Sequence, residues 1–186
     1  MRLYLIRHPQ PNDVDGRCYG RLDVAVDAAL VEAALATVRQ RIPAAVLHQA
    51  PIYTSPLLRC AQLANAIAAP RTAVVAEELL ELHFGSWQGR SWDEVPREQL
   101  DNWSRDIWMY RPGGGENAST LAARWQRWRD RVSSAHADAV IAVTHAGVIR
   151  VALALAGRLP LRDFGRSSIE FGSVHYIDDA NSASES

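Results

Sequence analysis

Two histidines each follow an apolar run: Arg7-His8 comes directly after residues 3–6, and Thr144-His145-Ala146-Gly147 directly after residues 139–143. A further cation, Arg59, closes the segment Thr54-Ser55-Pro56-Leu57-Leu58-Arg59, just past an apolar run at residues 50–54. This combination suits an anion, and a phosphate monoester above all. Guanidinium forks match phosphate oxygens in pairs, and helix N-termini after Ser55 and His145 would add unpaired N–H groups and a favourable dipole. Two part-buried arginines beside histidines would otherwise repel unless carboxylates neutralised them. Taken singly, each residue has a plainer reading. His8 would be a hydrogen-bonded structural histidine and His145 a helix cap. Arg59 would pair on the surface with Glu77, Glu78 or Glu81, and Glu81 would be a solvated carboxylate.

For these residues to meet, the apolar runs must be strands of one sheet. Residues 3–6 are rich in β-formers and are punctuated by Pro9 and Pro11, and residues 139–143 are apolar throughout, as expected of a strand covered on both faces. Further strands are expected at 50–54, 72–76, 169–171 and 174–177. Helices are expected at 27–41, at 57–68 with Ser55 as N-cap and Pro56 at the first helical position, at 116–137, and at 146–156. In the helix at 116–137, Leu121, Trp125, Trp128 and Val132 share one face, and the opposite face is rich in arginine. Strands alternating with helices imply an α/β three-layer sandwich, a mostly parallel central sheet flanked by helices. In such sheets the ligand crevice lies beyond the carboxyl ends of the strands. Arg7, His8, Arg59 and His145 all fall there.

Residues 80–115 break the pattern with Gly85, Gly89, Pro96, Pro112 and the run Gly113-Gly114-Gly115, and form a small loop-rich cap insertion. All six tryptophans lie between Trp87 and Trp128. Trp125 and Trp128 belong to the helical stripe. Trp87, Trp92, Trp103 and Trp108 either line the mouth of a site or build the core of the cap.

The chain has 186 residues, 48% of them hydrophobic, and a formal net charge of -1. It is long enough for one domain, residues 1–178, ending in a polar tail at 179–186 expected to be disordered. No global charge bias points to nucleic acid or an anionic membrane, and no run is long enough to span a bilayer. Cys18 and Cys60 fit neither a zinc cluster nor a redox pair and read as free thiols. Without a leader-like N-terminus the expected location is cytoplasmic. No metal or cofactor is expected: HExxH and paired Cys/His spacings are absent, and the histidines stand beside arginines.

Arg7-His8, Ser55-Pro56-Leu57-Leu58-Arg59, Glu81 in ELHFGSWQG, Pro112-Gly113-Gly114-Gly115-Glu116 and Thr144-His145-Ala146-Gly147, in that order, resemble the histidine phosphatase superfamily, the phosphoglycerate mutase-like proteins. The resemblance covers residues 1–177, and LIRHPQPN…CYGRLD is most similar to the alpha-ribazole phosphatase type. It implies a metal-independent phosphomonoesterase acting on a small-molecule phosphate monoester through a phosphohistidine. His8 would be the nucleophile, Arg7, Arg59 and His145 the phosphate pocket, and Glu81 the proton donor. The sequence departs from the family's usual RHGET or RHGQT at Pro9 and Pro11, and lacks the usual Asn near Val14. Gln10, Tyr19, Gly20 and Arg21 are therefore the candidates for the rest of the substrate pocket. Two other functions stay open: a phosphoglycerate mutase-type phosphotransferase, disfavoured by the short span from Glu81 to His145, and a non-catalytic phosphate-binding protein. The state of association is open, a homodimer included.

Overall fold

The computed structural model describes residues 1–12, 14–160, 163–165 and 167–178. The expectation for the tail at 179–186 falls outside them. Strands β1 (Arg2–Arg7), β2 (Ile52–Thr54), β3 (Val74–Val75), β4 (Ala139–Thr144) and β5 (Val174–Asp178) form one sheet in the order β3-β2-β4-β1-β5. All neighbours are parallel except β5, which runs antiparallel to β1 along the edge.

Helices α1 (Ala28–Arg41), α2 (Ala44–Gln49) and α3 (Leu58–Ala68) cover one face, and α5 (Ala118–Ser133) and α6 (Ala146–Leu155) the other; the short α4 (Arg97–Arg105) lies in the insertion. Alternation along the strands sorts side chains between the two cores. Leu3, Leu5, Val140 and Ala142 pack with α5 and α6, whereas Tyr4, Ile6, Ile141 and Val143 pack with α1 and α3. The stripe Leu121, Trp125, Trp128 and Val132 is buried as expected. Trp125 and Trp128 stand 5.0 Å apart, ring centre to ring centre.

Four local expectations need correction. Ser55 is not a cap: α3 starts at Leu58 with Leu57 in the cap position, and the Ser55 hydroxyl turns toward His145 instead. Residues 169–171 form no strand, since the turn at Phe171-Gly172 brings the Gly172 N–H onto the carbonyls of Arg7 and His8. Helix α5 starts two residues later than expected, with Asn117 as a true N-cap accepting from the Thr120 N–H at 2.9 Å. Between Pro43 and β2 the chain makes α2, a short helix that the alanine-rich run at 44–50 did not announce.

The insertion builds a core of its own. Trp92 and Trp103 stack nearly parallel at 6.2 Å, Phe84 meets each of them edge-on, and Trp87 sits beneath, its indole N–H donated to Gln99 at 2.8 Å. Trp87, Trp92 and Trp103 are thus cap packing. Trp108 packs edge-on against Phe164 and joins the larger core.

Candidate active site

Register places the site. Arg7 pairs with Thr144 across β1 and β4, so His8 and His145 leave the sheet at the same level, and their ring centres lie 5.1 Å apart. The ladder extends one step further through His8 N–H to the Thr144 carbonyl at 3.0 Å. The Ser55 N–H, just past β2, bonds the Val143 carbonyl, which puts its hydroxyl 2.8 Å from His145 Nε2. His8, Ser55, Arg59, Thr144 and His145 are all buried.

Burial dominates the protonation of both histidines. Desolvation, then the charge of Arg59 and, more weakly, Arg7, holds His8 well below its ordinary pKa against an opposing hydrogen bond to Pro9. His145 is depressed by desolvation first, then by Arg59 and the other cations around it. Both rings are therefore neutral near pH 7. The Pro9 carbonyl lies 2.6 Å from His8 Nδ1. A carbonyl can only accept, so the proton of the neutral ring sits on Nδ1 and the lone pair on Nε2. That lone pair faces the guanidinium of Arg59, whose Nε is 3.3 Å away.

Arg59 is fixed by backbone carbonyls: it donates to Leu22 at 2.7 Å and to Gly20, and its guanidinium carbon lies 5.0 Å from the Tyr19 ring centre. Arg7 donates to the Ile169 carbonyl and more weakly to the Tyr19 hydroxyl, and stacks on the Phe171 ring at 3.6 Å. Its Nε is buried and has no hydrogen-bond partner among the described residues. A buried donor left unpaired is costly, so an acceptor brought to this atom would be stabilised.

Glu81 reaches the same end of the sheet from a segment with no regular structure. Its Oε2 accepts from the Gly147 N–H in the first turn of α6 at 3.3 Å, and Oε1 from the Leu82 N–H at 2.9 Å. A Cβ on residue 147 would lie 2.3 Å from Oε1, so glycine there makes room for the carboxylate. Arg150, one turn further along α6, donates to the Ser167 carbonyl and feels the Glu81 and Arg7 charges.

Arg7, His8, Arg59, Glu81 and His145 thus gather at the carboxyl end of the sheet, with Tyr19 and the Gly20 carbonyl supporting the arginines. Two of the substrate candidates are engaged with partners other than His8. Gln10 is exposed and donates to Asp15 at 3.2 Å. The Arg21 guanidinium is bonded to the Glu81 carbonyl and to Glu116. Sequence reasoning missed Phe171 and Arg124, and named Ser55 and Glu116 without the contacts they make here. One signal was available for Arg124, which lies three residues after Leu121 and four before Trp128, on the buried stripe, where a charge demands a partner. Among the described residues no group of three or more His, Cys, Asp or Glu stands together as a metal-ligand set, and no helix is long and apolar enough to cross a membrane.

Comparison with known proteins gives the family and the fold. The family model described as histidine phosphatase superfamily (branch 1) matches residues 3–183. The adenosylcobalamin/alpha-ribazole phosphatase of Escherichia coli K12 is 27% identical over 188 residues, covering 96% of this chain and 90% of that protein. A metal-independent phosphoserine phosphatase of Arabidopsis thaliana is 29% identical over 165 residues, 80% of this chain and 65% of its own length. Among solved structures, the alpha-ribazole phosphatase of Shigella flexneri superposes with a TM-score of 0.79 at 25% identity, over 96% of this chain and 90% of that one.

Proposed function

Because the chain belongs to branch 1 of the histidine phosphatase superfamily, we propose that it is a phosphomonoesterase that hydrolyses a small-molecule phosphate ester through a phosphohistidine on His8, without a metal ion. The observation that carries this reading is the His8 ring. It is buried and neutral, its Nδ1 proton is held by the Pro9 carbonyl, and its Nε2 lone pair faces Arg59. A neutral imidazole with a fixed tautomer is a competent nucleophile.

In the first half-reaction the Nε2 lone pair forms the N–P bond as the P–O bond to the leaving group breaks. The Glu81 carboxylic acid delivers its proton to the departing oxygen. Arg7 and Arg59 meet the charge spread over the equatorial oxygens, a phosphate oxygen taking the Arg59 Nε–H from His8 and another pairing the orphaned Arg7 Nε. The neutral His145, oriented by Ser55, gives a further hydrogen bond. In the second half-reaction the Glu81 carboxylate takes a proton from water, the water oxygen bonds phosphorus, and the N–P bond breaks to restore neutral His8.

The relatives' names set the order of substrates to try. Alpha-ribazole phosphate comes first and phosphoserine second, and a phosphoglycerate acceptor tests transfer in place of hydrolysis. The phosphoenzyme gives the direct test. A label trapped during turnover should survive alkali and vanish in acid, as a phosphoramidate does. It should be missing from a folded His8→Ala variant, and turnover should persist in EDTA. A label on another residue, or near-normal turnover in His8→Ala, would falsify the mechanism at its first step; activity lost to EDTA and restored by a divalent ion would remove the metal-independent part.

A further inference from the structure

The chemistry of phosphoryl transfer has no use for Glu116, Arg124 or the Arg21 guanidinium, yet all three converge on the backbone of Glu81. Arg21 Nε donates to the Glu81 carbonyl at 2.9 Å, and Arg124 Nη2 donates to the same oxygen at 3.1 Å. Glu116 lies between the two arginines. Its Oε2 accepts from Arg21 Nη2 and Arg124 Nη2, each at 2.9 Å, and its Oε1 from Arg124 Nε at 2.8 Å. Arg124 also donates to the Glu78 carbonyl, so it grips this segment at two points. The side chains of Arg124 and Glu116 are 8% and 9% exposed. Arg21 is more open, at 29% exposed, but two guanidiniums on one carbonyl with one of them buried still repel, and Glu116 is the anion that balances them.

The glycine run makes the approach possible. The Glu116 N–H donates to the His83 carbonyl at 2.7 Å, and a Cβ on residue 115 would stand 2.0 Å from that carbonyl oxygen. Backbone meets backbone there, which only glycine permits. The glycine run thus lets the backbone bring Glu116 up to the Glu81 segment.

Resting on the reading of Glu81 as the acid, we propose that Arg21, Glu116 and Arg124 are positioning residues: a charge-balanced clamp that fixes the Glu81 backbone so that its carboxylate stays at the first turn of α6, in line with the leaving group. The need is physical. Residues 80–84 lie outside any helix or strand, and the Glu81 carboxylate's own anchors are the adjacent Leu82 N–H and a 3.3 Å bond from Gly147. A proton donor on such a segment is placed only as well as its supports hold the backbone.

The test compares Glu81→Gln, Glu116→Gln and the double variant by kcat/KM, which reports only the phosphorylation half-reaction, on an alkyl phosphate and on p-nitrophenyl phosphate, whose leaving group needs little protonation. Glu116→Gln should lower kcat/KM on the alkyl ester by roughly 10–100-fold, the scale of an ångström of misplacement. The loss on the aryl ester should be several-fold smaller, and the double variant no slower than Glu81→Gln alone. An equal loss on both esters, or losses that multiply in the double variant, overturns the clamp while leaving a leaving-group-selective Glu81→Gln intact. If Glu81→Gln itself slows both esters alike, the acid assignment falls and the clamp with it. Should Glu116→Gln not fold, Arg124→Lys, which keeps the charge but loses the fork, takes its place on both esters: a loss confined to the alkyl ester supports the clamp and an equal loss overturns it.

Discussion

The two sides of the candidate site are held by different means. The phosphate side, His8, Ser55, Arg59 and His145, stands on the ends of β1, β2 and β4 and the first turn of α3, where ladder hydrogen bonds and two apolar cores fix the backbone. The Glu81 side stands on an irregular segment kept in place by side-chain clamps, by backbone contact through Gly115, by Leu79 and Leu82 in the core under the sheet, and by the aromatic cap cluster. The contrast amounts to a division of labour. On the proposed mechanism, the charge sink is built into the sheet, while the group that meets a variable leaving group is built onto an insertion.

Breaking the sheet side should have the largest effect, and it should be blind to the leaving group. Arg59→Ala removes the guanidinium beside the His8 lone pair and leaves the carbonyls of Gly20 and Leu22 without their donor. We expect kcat/KM to fall by about 10²–10³ on alkyl and aryl phosphates alike, the usual loss for one donor to a developing charge. A loss that depends strongly on the leaving group would mean that Arg59 serves the acid rather than the phosphate.

A smaller and selective effect is expected where the two sides touch. In Gly147→Ala the new methyl group would intrude on the end of the Glu81 side chain, which can swing away, so the fold should survive. Alkyl phosphate turnover should drop by roughly 10-fold, with aryl phosphate turnover and Tm nearly unchanged. Equal losses on the two substrates would place Gly147 with the phosphate pocket and blur the division.

The mildest test is pH. His8 and His145 have folded pKa values depressed chiefly by desolvation, so near and below pH 6.5, the ordinary value of an exposed histidine, the unfolded chain takes up protons that the folded chain refuses. Their contribution to stability is therefore full above about pH 6.5 and is lost as the pH falls toward the folded values, at up to about 1.4 kcal/mol per pH unit for each ring. Thermal melts of the wild type and His145→Asn from pH 7.5 to 5 should diverge in slope below about pH 6.5, the variant being flatter. Parallel curves would mean that His145 is protonated in the folded protein.

The phosphate side was legible in the sequence because it obeys local rules. A fully apolar run predicts a strand covered on both faces, and residues just beyond such strands fall at the ligand edge of the sheet. Arg7, His8, Arg59 and His145 followed from that alone, and the superfamily resemblance added their roles. Ser55 was misread because a Ser-Pro pair before a helix has a sound local use as a cap. Its hydroxyl takes a long bond from the nearby Leu57 N–H, but its close partner, His145, is ninety residues away, and no local rule reaches that far. The tryptophans of the insertion met the same limit, since sequence allowed either a wall or a core and only packing decided for a core.

Periodicity and burial are properties of short segments, so the sheet, its covered strands, the helical stripe of α5 and the set of groups able to hold an anion could all be read from the order of residues. Folding had to settle which tautomer His8 adopts, that the Arg7 Nε is left without a partner among the described residues, and that Arg21 and Arg124 share the Glu81 carbonyl through Glu116. Those facts depend on which carbonyl or carboxylate arrives from a distant part of the chain. A buried charge or lone pair is defined by its neighbours, and the chain acquires its neighbours only by folding.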